Sequence, residues 1–497
     1  MTASSGRFAR GVAWSLAATV AGQGANVVVG FGLARLLGPR LFGEWGMLQS
    51  TVVAWGALAG LGLGLTATRY VALHRDHAPA RATAVAQLTG RLGSVAGLAV
   101  SVLLALLSGP LSARLSAPHL AGLVAASSVL LWSNAVAGVQ NGVLAGLERF
   151  PLLGRLNALR GALVILLSLA GGARGGLPGA VAGAIAAALT GVLAGARAQR
   201  RAMDEAGLPR AGLREPGDLG VLARFTLPAL LSSLLTGPAL WVAHALLVRT
   251  PGGYEQLALV NATGHVRSAL MLLPSVFQSV ALPMLARRPR GEAGDGAGEA
   301  GLLGLTQSLS LLVIFPAGVA AMGLSGPLMA LYGPSFAAGD EVAVLVAASV
   351  LVQAVTSATG PLVQSDGRMW VGFLLNLTFA LGLDLAVGLF AQPLGARAFA
   401  LGLSAGYGLM ALWGLPYLRT SLPRGLVRRA AASALWAAAM TSLLRPLDPL
   451  VRVWWTPLAV VATTVFIVFA AMEPDVRRAL VGVWRARRTP RMMPADG

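Results

Sequence analysis

The chain has no cysteine among its 497 residues, so it holds no disulfide, no thiolate metal ligand and no redox dithiol. It has no lysine either: all 38 basic residues are arginine. That excludes a P-loop, whose lysine contacts the phosphates, and any Schiff-base chemistry. Charge of both signs is scarce. Only 11% of the residues are charged, less than half of the roughly 25% usual in soluble domains. Apolar residues fill the space, at 56% of the chain and a mean hydropathy of +0.72. A soluble chain of this length would make three or four domains. This composition fits one all-α polytopic membrane protein.

A membrane-crossing helix needs about 20 mostly apolar residues. Fourteen charge-poor stretches are read as spans: residues 11–34, 45–68, 92–113, 120–147, 156–173, 175–196, 225–248, 256–286, 302–324, 342–365, 369–391, 393–418, 430–444 and 453–472. The thirteenth is short, and the fifth and sixth are joined only by the turn at Arg174. The first exceeds the about 7–15 residues of a signal-peptide core and reads as an uncleaved span. With Arg7 and Arg10 placed in the cytoplasm, the loops and termini on that side hold 28 arginines against 8 on the other. Positive residues stay inside, so both termini are expected in the cytoplasm. The net charge of +19 therefore reads as topology control and attraction to membrane lipids. Without an aromatic-interleaved basic patch it does not point to nucleic acid.

The longest cytoplasmic break, 197–224, follows six spans, and the sequence around the seventh and eighth echoes the first two at an offset of 211 residues. Phe42-Gly43-Glu44 falls against Gly253-Tyr254-Glu255. The reading is two six-helix lobes in parallel repeat, a known transporter plan. They comprise 1–196 and 225–418, with 197–224 as linker, 419–472 as two appended helices and 473–497 as a basic cytoplasmic tail. Gly60/Gly64, Gly175/Gly179/Gly183 and Gly402/Gly406 have the small-residue spacing that lets helices pack closely in lipid. Pro228, Pro238, Pro274, Pro283 and Pro316 fall inside spans and bend them.

Some motif matches carry no chemistry. Gly402-Leu403-Ser404-Ala405-Gly406 has the spacing of a nucleophile elbow, but no histidine follows Ser404, and the motif needs one. Gly62-Leu63-Gly64-Leu65-Thr66-Ala67 imitates a dinucleotide fingerprint inside a span, without a βαβ unit. His74 and His77 lie in a solvated loop with Asp76 as their only acidic neighbour. No catalytic group, metal or cofactor is expected, and the chain reads as a non-enzyme.

Ionisable residues inside a membrane are costly and mark function. Asp384 is the only mid-span acid, which makes it the ion-coupling candidate or the partner of an intramembrane arginine. Arg267 lies eleven residues into the eighth span, about 16 Å along the helix. Arg160 sits four residues from a cytoplasmic end and can snorkel. Asn261, His265, Ser268, Ser275 and Ser279 share one face of the eighth span, a polar stripe unsuited to lipid. With Asn26 and Gln49, as well as Gln23, Asn134, Gln140, Asn141, Gln353 and Asn376, it describes a wet interior. The cavity candidates are Arg267, Asn261, His265, Ser268, Asn26 and Gln49.

The chain resembles the Wzx-type flippases, the polysaccharide-exporter branch of the multidrug/oligosaccharidyl-lipid/polysaccharide (MOP) superfamily. The residues are Ala34-Arg35-Leu36-Leu37-Gly38-Pro39-Arg40-Leu41-Phe42-Gly43, Gly60-Leu61-Gly62, Ala67-Thr68-Arg69-Tyr70-Val71-Ala72, Leu227-Pro228-Ala229-Leu230-Leu231-Ser232 and Leu282-Pro283. The resemblance implies translocation of an isoprenoid-pyrophosphate-linked oligosaccharide by alternating access, with room for a polysaccharide polymerase and glycosyltransferases as partners. A lipid II flippase stays open, as does a cation-coupled multidrug antiporter. The absence of carboxylates from the first six expected spans speaks against the antiporter.

Overall fold

A computed structural model describes residues 2–60, 62–209, 235–286, 296–356, 359, 363, 368–417 and 426–471. The described part is helical, without a strand. The helices are α1 (Thr2–Gly60), α2 (Leu63–His74), α3 (Pro79–Leu106), α4 (Ser108–Arg114), α5 (Ala121–Gly146), α6 (Phe150–Glu205), α7 (Leu235–Val248), α8 (Gly253–Ala286), α9 (Gly296–Gly323), α10 (Ser325–Ala330), α11 (Asp340–Val355), α12 (Met369–Leu394), α13 (Ala396–Tyr417), α14 (Leu426–Leu444) and α15 (Pro449–Phe466). Eight described helical segments are long and apolar enough to cross a membrane, and shorter apolar helices fall at 235–248, 307–323 and 431–444.

Two of the helices are double spans. In α1, Gly38 has φ 75° and precedes Pro39. A positive φ is open to glycine without a Cβ penalty, so the helix reverses there into two arms. Gly176, at φ 57°, does the same in α6. With those breaks, and α2 continuing the second arm of α1, every one of the fourteen expected spans has described helix within it. The linker's residues 210–224, Pro228 and the tail 473–497 lie outside the described residues. So do the side chains of Arg7, Arg10, Ser275 and Ser279.

The outer surface suits lipid. Leu106 and Leu412 are more than 70% exposed. Exposed Trp454 and Trp455 start α15, while exposed Trp370 and Tyr417 lie at the opposite ends of their spans, where aromatic side chains anchor a bundle at its two interfaces.

Close helix packing is confirmed for some of the expected glycines. A Cβ on Gly64 would meet the backbone of Gly138, on Gly179 that of Gly171, on Gly183 that of Leu167, and on Gly406 that of Phe379. Gly60 and Gly175 differ: nothing lies within 4 Å of either, because both sit at helix breaks rather than at a crossing. The last two spans are no loose appendage. α15 packs on α9 and α14 on α11, and the buried Arg452 of α15 reaches Asp340 Oδ1 of α11 at 3.0 Å, Ser325 Oγ at 2.6 Å and the Leu447 carbonyl at 2.8 Å.

The core is divided unevenly. At the end of the bundle carrying Gly38 and Gly252, one cluster joins α1 and α5 to α7, α8, α11 and α13 through Leu33, Phe42, Leu247, Tyr332, Phe336 and Phe399. Toward the other end, Ala67, Val85, Val143 and Leu156 form a separate cluster drawn from α2, α3, α5 and α6. Among the described residues the two halves of the chain share the first of these clusters, and a cavity lies beside it.

Candidate functional site

The cavity has a volume of about 420 Å³ and lies between the two arms of α1 and helices α7, α8, α11 and α13. All six cavity candidates line it: Asn26 on the first arm, Gln49 on the second, and Asn261, His265, Arg267 and Ser268 on α8. Tight packing sets their positions. A Cβ on Gly30 would run into the His265 ring, and one on Gly46 into the Asn261 amide. Both glycines let polar side chains of α8 lie directly on the backbone of α1.

Arg267 pairs with neither Asp384 nor a helix-end carbonyl. Its Nη2 donates to Tyr407 Oη at 2.6 Å and to Gln353 Oε1 at 3.0 Å, and the guanidinium carbon stands 5.9 Å from the Tyr407 ring centroid. Among the described residues its buried Nε has no partner, and neither has the buried Asn261 Nδ2. An unpaired buried donor costs about 1–3 kcal/mol, and both donors lie packed within the cavity wall. Among the described residues no Asp or Glu lines the cavity.

Asp384 lies elsewhere. It is half-buried on α12 between the exposed Leu381 and Leu385, and its buried Oδ1 has no hydrogen-bond partner among the described residues. Among the described residues no arginine pairs with it. Arg160 does not snorkel either. Its Nη1 donates to Asn141 Oδ1 at 2.7 Å, Nη2 to Gln140 Oε1 at 2.7 Å and Nε to the Gly191 carbonyl at 3.3 Å. It turns inward because two neighbouring spans, α5 and the second arm of α6, bring oxygens to it, an arrangement that span position alone does not disclose. The expectation of no carboxylate in the first six spans also needs correction: α1 resumes at Pro39, so Glu44 is inside its second arm. It is 2% exposed, with His119 Nε2 at 3.0 Å and Arg40 Nε at 3.8 Å.

Four residues of the site went unnoticed in the sequence. His244 lines the cavity, with Nδ1 2.8 Å from Ser50 Oγ and its ring 5.0 Å from that of Phe399. Its membrane position was the available signal. Ser50, Tyr332 and Tyr407 carried none, since each acquires its role from a partner distant in sequence. Further bonds cross the seam between the halves: Trp241 Nε1 donates to Thr51 Oγ1 at 3.0 Å, and Tyr254 Oη to the Leu115 carbonyl at 3.0 Å. Ser404, in the false elbow motif, is mid-helix and bonds the Ala400 carbonyl at 3.3 Å.

A helical bundle with a polar cavity between two halves of the chain is also found among solved structures. The chain superposes on an inward-facing multidrug resistance MATE family transporter of the MOP superfamily with a TM-score of 0.66 at 15% identity, covering 86% of this chain and 96% of that one. The lipid II flippase MurJ in an inward closed conformation gives 0.61 at 12% identity, with 95% and 100% covered. A Vibrio cholerae MATE transporter gives 0.61 at 17%, with 85% and 98% covered. These likenesses establish the fold. A family model described as polysaccharide biosynthesis protein matches residues 8–288, and the chain belongs to that family. Among curated proteins no sequence matches it.

Proposed function

We propose that the protein flips an isoprenoid-pyrophosphate-linked oligosaccharide across the bacterial cytoplasmic membrane, for surface polysaccharide assembly. The observation that carries this reading is the cavity wall: one intramembrane arginine, neutral hydrogen-bonding side chains around it, and no carboxylate among the described lining residues. A buried pyrophosphate needs a fixed cation, and a guanidinium offers parallel donors to it. Asn26, Gln49 and Asn261 would bond sugar hydroxyls. A cationic drug would meet repulsion from Arg267 and no counter-charge, which weighs against the antiporter. A lipid II flippase shares the pyrophosphate chemistry and differs only in the sugar.

In this reading 1–196 and 225–418 are the two lobes that rock about the cavity, with both termini in the cytoplasm. Asp384 serves ion coupling, and a polymerase and glycosyltransferases work on either side of the transport step. The test is flipping of a pyrophosphate-linked glycan by the reconstituted protein. Arg267→Ala should abolish it and Arg267→Lys weaken it, with protein levels near normal, because lysine keeps the charge and loses the fork. Unimpaired flipping in both variants would remove Arg267 from the head-group site.

A further inference from the structure

Among the described residues, the cavity lining holds one arginine, Arg267, two histidines, His244 and His265, and no acid. A pyrophosphate diester carries one ionised oxygen on each phosphorus, a charge of about −2 at neutral pH. One fixed cation therefore leaves a bound head group half matched. We propose that His265 supplies the second positive charge, its Nε2 taking up one proton when a dianionic head group binds. The inference rests on the reading of the cavity as a pyrophosphate site and adds a selectivity to it: dianionic lipid carriers bind with a proton, monoanionic ones without.

The hydrogen bonds around His265 identify the basic atom. Tyr332 has a single hydroxyl proton, and Tyr332 Oη donates it to the Ala262 carbonyl at 3.1 Å. His265 Nδ1 is 2.9 Å from the same oxygen, and with the Tyr332 proton on the carbonyl it is the donor in that pair. The neutral ring carries its proton on Nδ1 and leaves the lone pair on Nε2. Protonation at Nε2 costs none of the existing bonds. His244 lacks this definition, because the Ser50 hydroxyl opposite its Nδ1 is both donor and acceptor.

The groups packed around His265 favour the same outcome. Arg267 shares its helix, Gly30 packs against its ring from the first arm of α1, and Asn26, Gln49, Ser50 and His244 line the same cavity from the two arms of α1 and from α7. Tyr332 lies against it, and Tyr407 reaches the site through Arg267. The nearest acid on the second arm of α1, Glu44, is engaged by His119 and Arg40 at the closed end. While the cavity holds no anion, Arg267 repels a second positive charge on its own helix. A ligand of charge about −2 reverses that balance.

The test is calorimetric titration of the full chain in detergent with isoprenyl-pyrophosphoryl-N-acetylglucosamine, in two buffers of different ionisation enthalpy, over about pH 5 to 8. The expected result is uptake of close to one proton per ligand, with affinity falling by up to tenfold per pH unit as pH rises. The corresponding isoprenyl-phosphoryl sugar, with one negative charge, should bind without uptake. His265→Gln should abolish the uptake and the pH dependence for the diester, and His244→Gln should preserve both. Binding of the diester with no proton taken up overturns the role of His265 and leaves the pyrophosphate site standing. If neither lipid binds, the pyrophosphate reading of the cavity falls, and this proposal with it.

Discussion

Gly30→Ala places a methyl group where the His265 ring now lies against the backbone of α1. Overpacking of this kind costs about 1–3 kcal/mol. The contact joins the two halves of the chain across the seam, so the cost falls on the conformation with the seam closed and vanishes once the halves part there. A differential of that size shifts a two-state equilibrium by roughly 5- to 150-fold. Gly24 lies on the same arm of the same helix, and nothing stands within 4 Å of a Cβ added to it. Gly24→Ala is therefore the matched control. The absence of native cysteine makes the readout clean. Ala34→Cys introduces a small thiol one turn beyond Gly30, at a position 2% exposed, and a membrane-impermeant maleimide reports its exposure. Labelling from the sealed side should accelerate within that range for Gly30→Ala and stay at the parent rate for Gly24→Ala. Equal labelling in the two variants, both folded, would refute the argument that this glycine holds the seam closed.

Arg452→Ala should destabilise the protein by about 3–5 kcal/mol, since it strands a partly buried carboxylate, read as a lower melting temperature in detergent. Adding Asp340→Asn should return part of the loss, and a double variant no better than the single would show that the pair is not the cause. Asp384→Asn is expected to impair cation-dependent transport while the protein stays folded. Wild-type transport with unchanged ion dependence would return Asp384 to a structural role. Reporter fusions after Gly497 and within residues 208–215 should both read cytoplasmic, and an external signal at either would overturn the two-lobe topology.

The membrane character, the helical class and the fourteen spans are legible in the sequence because lipid imposes a local rule. Each span must satisfy its own backbone hydrogen bonds over a length fixed by the bilayer. Run lengths and charge positions record that rule residue by residue. The polar face of α8 was legible for a similar reason, since helical periodicity places Asn261, His265 and Ser268 together whatever surrounds them. Convergence of those residues with Asn26 and Gln49 on one cavity required the fold, which brings the arms of α1 against α8 through glycines more than 200 positions away in sequence. Partner choice was likewise tertiary. Arg267 bonds Tyr407 and Gln353 rather than Asp384, and Arg160 turns to Gln140 and Asn141 rather than to the interface. Sequence position fixes how deep a charge lies along its own helix. Which oxygen meets it depends on the helices packed alongside, because a side-chain hydrogen bond forms only within about 3 Å, a separation that only the packed bundle sets.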